Sequence, residues 1–72
     1  MREAFYKHLG LNIKKRRKEL NLTQQELADR LGLSLNFIGK IEVAFSKPSL
    51  DTLIDIAEKL ETTVSELANF SK

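Results

Sequence analysis

Asn36 and Lys40 are two polar residues whose positions suit them to contact a ligand. They belong to a segment with helical periodicity, in which Ile38 and Ile41, three residues apart, must face the core. The outward side of that helix then carries Leu35, Asn36, Gly39 and Lys40. An asparagine amide can donate to N7 of adenine and accept from its N6 group, and a leucine side chain can contact a thymine methyl group. This face therefore has the chemistry to contact base edges in the major groove of DNA.

The other chemically reactive side chains form no catalytic or metal-binding pattern. The chain has no cysteine, which excludes disulfides, a thiolate nucleophile and the common structural zinc sites. His8 has no second metal ligand at helical spacing, and the acids Asp51, Asp55 and Glu58 form one solvated face without a nucleophile. We therefore expect no catalytic residue, no metal, no cofactor and no enzyme activity.

Five short helices are predicted to position the outward face. The first runs from near Glu3 to Leu20, and we expect Gly10 to interrupt it because glycine weakens a helix. The other four follow hydroxyl N-cap residues, which are Thr23, Ser34, Ser49 and Thr63. Glu26 and Glu66, three residues after the two threonines, predict capping boxes.

Apolar residues at helical spacing give these helices a buried side. In helix 4 the predicted stripe comprises Leu50, Leu53, Ile54, Ala57 and Leu60. A chain of 72 residues without disulfides or a structural metal needs well-packed helices, a partner subunit, or both. The predicted fold class is all-α, a compact bundle of five short helices that forms a single domain over 1–72.

Helices 2 and 3 form the most distinctive unit, over 24–43. Gly32 is expected to end helix 2, because the left-handed backbone conformation needed there costs little only for glycine. Ala28 and Gly32 are also small where the two helices must cross closely. Two short helices joined by a tight turn are the sequence form of a helix-turn-helix, whose second helix enters the major groove.

Charge is unevenly distributed along the chain, whose net charge is +2. Residues 1–20 carry seven Lys or Arg against two acids, whereas residues 49–72 carry five acids against two lysines. Such asymmetry suits a protein that presents one side to a polyanion, although an ordinary solvated surface explains it equally well. No apolar run approaches the ~20 residues of a membrane span or resembles a signal peptide, so the expected location is the cytoplasm.

The segment 23–50 reads Thr-Gln-x-x-Leu-Ala-x-x-Leu-Gly, then Ile-x-x-Ile-Glu, and finally Pro-Ser-Leu. This register resembles the Cro/repressor-type helix-turn-helix family over about 13–67, which is most of the chain. The resemblance implies the lambda repressor-like fold. It also implies sequence-specific binding of double-stranded DNA by a small transcriptional regulator that acts by repression.

The resemblance assigns roles to individual residues of this chain. It implies that Gln24, with Gln25 as a second candidate, binds a phosphate at the positive end of helix 2. It implies contacts to base edges or adjacent phosphates from Ser34, Leu35, Asn36, Phe37 and Lys40. Arg17 and Glu42 fall on inward sides of their helices, where an unpaired charge is costly, and the family has an ion pair at the matching positions.

The loop after helix 3 departs from the family pattern. Ala44 replaces a glycine, and Phe45-Ser46 replaces a basic pair, which leaves Lys47 as the loop's cation and its candidate phosphate contact. Phe45 either contacts a partner or packs beneath the loop, and Phe37 either contacts a thymine methyl group or packs under the loop at Phe45.

Two further features of the sequence allow more than one interpretation. Gly39 either admits DNA close to the helix backbone or is a tolerated small residue. The basic run 14–18 is interpreted as a solvated face, apart from the inward Arg17, with Lys14 or Lys18 attracting DNA at long range.

The expected partners are double-stranded DNA and a second copy of the chain. One domain of this size contacts few base pairs, so we expect a homodimer on an inverted-repeat operator. Leu67 and Phe70 are the predicted dimer interface, because so short a helix is not expected to bury both. The rival hypothesis is a protein-interaction module or antitoxin-type partner protein on the same fold, supported by Leu35, Phe37 and Phe45.

Overall fold

Hydroxyl side chains begin four of the five α-helices in the computed structural model, which describes residues 2–70. The helices are α1 (Arg2–Glu19), α2 (Gln24–Leu31), α3 (Leu35–Glu42), α4 (Leu50–Lys59) and α5 (Val64–Leu67). They pack into a body of 30 × 21 × 20 Å. The predicted all-α bundle of five helices is confirmed, with α2 and α3 as its helix-turn-helix.

The predicted N-caps are formed by hydrogen bonds between residues that are three apart in the sequence. At the start of α2, the Thr23 hydroxyl accepts from the N–H of Glu26 at 3.0 Å, and the Glu26 carboxylate accepts from the N–H of Thr23 at 2.8 Å. This is the complete capping box. At the start of α5, the Thr63 hydroxyl accepts from the N–H of Glu66 at 3.0 Å, which is one of the two bonds that the second predicted box requires.

Gly32 ends α2 as predicted. Its φ of 68° lies in the left-handed region, and its N–H turns back toward the carbonyls of the last helical turn. The N–H of Leu33 donates to the carbonyl of Ala28 at 2.9 Å, which closes the turn before Ser34 begins α3. The α2–turn–α3 geometry is therefore set by local sequence.

Gly10 does not interrupt α1, and that prediction is wrong. The helix continues through it, and Gly10 is buried against the end of α3. A Cβ atom placed on Gly10 would lie 2.5 Å from the carbonyl oxygen of Glu42 and 2.6 Å from that of Ile41. Glycine is needed here because two backbones are nearly in contact, and this gain offsets its poor helix propensity.

The core draws on all five helices. Its buried apolar residues are Leu9, Ile13, Leu22, Leu27, Ala28, Ile38, Ile41, Leu53, Ile56, Ala57, Leu60 and Leu67. The predicted stripe of α4 is wrong in part, because Leu50 and Ile54 are 67% and 43% exposed whereas Ile56 is fully buried. Apolar residues occur on more than one side of α4, and only its contacts with α2 and α5 decide which side is covered.

Two polar side chains of α1 fasten the C-terminal half of the chain. Arg16 donates from Nε to the carbonyl oxygen of Leu60 at 2.8 Å and from its guanidinium to that of Glu61 at 3.2 Å. Asn12 donates to the carbonyl oxygen of Leu67 at 2.8 Å. These carbonyls lie at the ends of α4 and α5, where helices lack internal partners. Arg16 is therefore structural, which corrects its assignment to a solvated face.

Ala44 carries a left-handed backbone with a φ of 64°, which costs an L-residue roughly 1–2 kcal/mol. Ala44→Gly should therefore raise the free energy of unfolding by roughly 0.5–1 kcal/mol, since the greater freedom of glycine in the unfolded chain cancels part of the gain. Urea denaturation measures the change. Ala4→Gly, at an exposed helical position in α1, is the control and should lower stability. A loss of stability in Ala44→Gly would contradict the strain assigned to this residue.

Candidate nucleic-acid interface

The second helix of the α2–turn–α3 unit presents one side to solvent and the other to the core. Ile38 and Ile41 are 1% and 2% exposed, as their spacing predicts. On the opposite side Leu35 and Asn36 are exposed, and Lys40 is half-buried. The face that sequence analysis selected for contacts with base edges is therefore open along the first two turns of α3.

A shallow depression runs along this face, and we call it the α3 groove. It is lined by Gln24 from α2, by Leu35, Asn36, Gly39 and Lys40 from α3, and by Val43 and Phe45 just beyond. Val43 and Phe45 are 74% and 77% exposed, so the groove has an apolar rim. Four predicted contact residues, Gln24, Leu35, Asn36 and Lys40, thus share one continuous surface.

A second depression joins the first at Gln24 and Leu35. Its lining includes Gln25 of α2 and two lysines of α1, Lys14 and Lys18. Lys14 also borders a third depression, together with Lys7 and Gln24. Lys7 was not among the predicted contact residues, although it lies seven residues before Lys14 and so on the same side of α1. These lysines place positive charge beside the N-terminus of α2, whose backbone N–H groups also favour an anion.

The other predicted contact residues, Ser34, Phe37 and Lys47, do not line the α3 groove. The Ser34 hydroxyl accepts from the N–H of Phe37 at 3.0 Å as the cap of α3, which leaves its own O–H able to donate outward. Phe37 is half-buried and packs against the core. Phe45 is 77% exposed, so its packing beneath the loop is corrected. Lys47 extends toward α1, where its Nζ lies 5.6 Å from the ring centroid of Tyr6.

The predicted Arg17–Glu42 ion pair lies at the base of this surface. Arg17 donates from Nε and from its terminal nitrogen to the two oxygens of Glu42, at 2.7 and 3.0 Å. Its other terminal nitrogen donates to the carbonyl oxygen of Leu22 at 2.7 Å. The two side chains are 7% and 1% exposed. Such two-point geometry is what allows a pair of charges to be buried.

Gln24 connects this ion pair to the surface. Its amide nitrogen donates to a carboxylate oxygen of Glu42 at 3.0 Å. An amide nitrogen carries two N–H groups, so one remains to donate to a phosphate oxygen. Gln25 is oriented otherwise, since its amide donates to Asp29 one turn further along α2 at 2.9 Å. Of the two glutamines, Gln24 is the one that the fold holds in place at the groove.

The predicted dimer-interface residues do not present a joint surface. Leu67 is 2% exposed within its own chain, so its assignment to a dimer interface is corrected. Phe70 is half-buried, and its ring centroid lies 5.2 Å from those of Phe5 and His8. The short α5 buries Leu67 because α1 and α4 pack against the helix, while Val64 is half-buried.

Neither a metal site nor a membrane span emerges from the described part of the chain. Residues 2–70 contain no group of three or more His, Cys, Asp or Glu side chains placed to hold a metal ion. Within the same range, no helix combines the length and apolar character that crossing a membrane requires. The surface around α3 is the site that the geometry singles out.

Known proteins share this sequence pattern. Residues 13–67 match the family HTH_3, which is described as Helix-turn-helix. The chain is 39% identical over 51 residues to the cryptic phage CTXphi transcriptional repressor RstR of Vibrio cholerae, over 71% of this chain and 46% of the repressor. It is 37% identical over 59 residues to the control protein C.SmaI of Serratia marcescens, over 82% of this chain and 70% of that protein. The chain thus spans about half the length of the phage repressor.

Among solved structures, the fold matches that of SinR, a master regulator for biofilm formation, in complex with DNA. The TM-score is 0.79 at 29% identity, over 85% of this chain and 98% of that chain. The similarity therefore extends over almost the whole of that solved chain.

The buried ion pair gives a prediction about stability. Arg17→Met leaves the Glu42 carboxylate buried without its cation and should lower the free energy of unfolding by roughly 3–5 kcal/mol. Arg17→Met combined with Glu42→Leu should recover much of this loss. Thermal and urea denaturation measure both effects, with Lys18→Met, at the exposed neighbouring position, as the matched control. If Arg17→Met costs no more than Lys18→Met, the pair does not stabilise the fold.

Proposed function

We propose that the chain, which belongs to the helix-turn-helix family HTH_3, is a transcriptional regulator that binds double-stranded DNA in a sequence-specific manner. The observation that carries the proposal is the exposed side of α3, with Leu35 and Asn36 opposite the buried Ile38 and Ile41. A helix buried on one side and open on the other, at the end of a tight turn, suits insertion into the major groove.

The contacts divide between bases and phosphates. Asn36 and Leu35 are proposed to read base edges, with Ser34 and Lys40 at the border of the interface. Gln24 is proposed to bind a phosphate, because Glu42 fixes its amide and leaves one N–H outward. Lys14 and Lys47 supply cations that attract the DNA backbone, and Gln25 is a second polar contact at the start of α2.

Repression is the regulatory outcome that we propose. A bound domain occupies its operator and excludes other proteins from it, and no catalytic step is needed. RstR is named a transcriptional repressor and C.SmaI a control protein, so phage repression and control of a restriction-modification locus are suitable settings. The protein would act in the cytoplasm.

A second candidate function is binding of a protein partner through the same surface. The exposures of Val43 and Phe45, 74% and 77%, favour it, because large apolar side chains are usually covered when they cluster. Binding to random duplex DNA separates the two candidates. A DNA-binding protein shows affinity that falls steeply with salt, whereas a protein-interaction module shows none.

We further propose that the chain acts as a homodimer on an inverted-repeat operator. One recognition helix contacts too few base pairs for useful specificity, and a second copy doubles the contacts. With Leu67 buried, we place the contact with a second copy on α4, where Leu50 and Ile54 lie one turn apart, are exposed and lie outside the α3 groove. A dimer on an inverted repeat must place its two α3 helices about 34 Å apart, which is one turn of DNA.

Selection of bound sequences from a random duplex pool tests the proposed function, and Asn36→Ala tests its mechanism. On the selected site Asn36→Ala should cost about 1–3 kcal/mol of binding free energy and relax the preference at one base pair. Its melting temperature should stay unchanged, because the side chain is exposed. Ser65→Ala, an exposed polar position on α5, is the control. Equal losses on selected and random DNA would rule out base readout by Asn36.

Sedimentation of the free protein and of its complex tests the dimer. Ile54→Asp should convert a dimer into a monomer and abolish the preference for two half-sites roughly 10 base pairs apart, because it puts a charge into the apolar contact. Ser65→Asp introduces the same charge on α5 and should leave the dimer intact. A wild-type chain that is monomeric both free and on DNA, with a non-palindromic selected site, would disprove the dimer.

A further inference from the structure

We infer that the α3 groove is a receptor for thymine methyl groups, so that this chain reads its operator half-site largely through A·T pairs. The inference rests on the proposed function and deepens it, since it names the chemical feature of the DNA that gives specificity. It assigns a role to Gly39, a residue that the fold itself does not require.

The groove is a shallow, largely apolar depression with no side chain at its centre. Leu35, Gly39 and Val43 follow one another at intervals of four residues, so they line up along one side of α3 and its end. Leu35 and Val43 are 44% and 74% exposed and form the walls. Gly39, between them, leaves the floor open.

Gly39 differs from the other two glycines in that no backbone constraint explains it. Gly10 is required by the carbonyl oxygens that lie within 3 Å of its missing Cβ, and Gly32 by its left-handed φ. A Cβ on Gly39 would meet only the Gln24 amide, at 3.9 Å, which is an ordinary contact. Its backbone is helical, where alanine is the more stable residue. The space above Gly39 is therefore open, and a methyl group can enter it without meeting protein atoms other than the Gln24 amide.

The C5 methyl group of thymine is apolar and lies in the major groove of DNA, where α3 would be inserted. In the major groove a thymine exposes its C5 methyl group beside O4, and its adenine partner exposes N7 and the N6 amino group. Asn36 lies next to Leu35 on α3 and has the amide that matches adenine. An amide beside an apolar slot is complementary to an A·T pair, or to two adjacent ones.

The charges around the groove favour the same ligand over a guanine-rich site or an apolar protein surface. Guanine is most often read by an arginine or a lysine. Helix α3 has no arginine, and the Nζ of its lysine, Lys40, lies over the Phe45 ring at 5.6 Å from the ring centroid, which makes guanine readout less favourable. Lys14 and Lys18 line the neighbouring depression, which suits phosphates at the edge of the contact. A polyanion with apolar methyl groups fits both parts of this surface.

Replacement of thymine by deoxyuridine in the selected duplex provides the test, because it removes only the methyl group and keeps base pairing. The wild-type chain should bind the uracil half-site about fourfold more weakly for each methyl that occupies the groove. Deoxyuridine placed outside the half-site is the matched probe control and should have no effect.

Gly39→Ala provides the complementary test from the side of the protein. It should raise the melting temperature by about 4–8 °C, because alanine is the better helix former, while it weakens binding to the thymine duplex and removes the difference between thymine and uracil. Leu35→Ala should reduce that difference without the gain in stability. The raised melting temperature establishes that loss of binding is not loss of fold.

The outcomes separate this inference from the proposed function. Specific binding with equal affinity for thymine and uracil duplexes, or a Gly39→Ala variant that binds like the wild type, overturns the receptor and leaves sequence-specific DNA binding intact. Failure to select any duplex, together with no salt-dependent binding to random DNA, overturns both and leaves a protein as the occupant of the groove.

Discussion

The buried contact between Arg17 and Glu42 is the constraint on which the rest of the structure depends. Removing two charges from water is costly, and only close, two-point hydrogen bonding offsets that cost. Arg17 lies near the end of α1 and Glu42 is the last residue of α3, while the guanidinium also binds the carbonyl of Leu22 before α2. One ion pair therefore fixes three segments relative to one another, and any other register would leave a charge unpaired in the core.

Close approach of two backbones makes that ion pair possible. Gly10 lies two helical turns before Arg17 on the same side of α1, and its missing Cβ lets α1 lie directly against the carbonyls of Ile41 and Glu42. A larger residue at Gly10 would force the two backbones apart and so shift Glu42 relative to Arg17. The proposed phosphate contact depends on the same crossing, because Gln24 is held by Glu42.

Local chemistry was predictable from the sequence, and distant chemistry was predictable only where charge demanded a partner. The cap at Thr23 and the left-handed Gly32 depend on residues within a few positions, so their types suffice to identify them. The Arg17–Glu42 pair joins residues 25 apart and was still foreseen, because inward charges are too costly to leave alone. The partners of Arg16 lie 44 and 45 residues away, and nothing in an exposed-looking basic run indicates backbone carbonyls as partners.

The same distinction explains why the outward side of α3 was easier to identify than the exposed side of α4. In α3 the two isoleucines are the residues that must be buried, so the rest of the helix is assigned by elimination. In α4 apolar residues occur on both sides, and Leu50 and Ile54 compete with Ile56 for the core. The side of α4 with Leu50 and Ile54 is not covered by the core and remains exposed to solvent. Single exposed apolar residues are ordinary, but a cluster of them suggests an interface or a ligand site, and on α3 the neighbouring amide of Asn36 favours DNA as the proposed ligand.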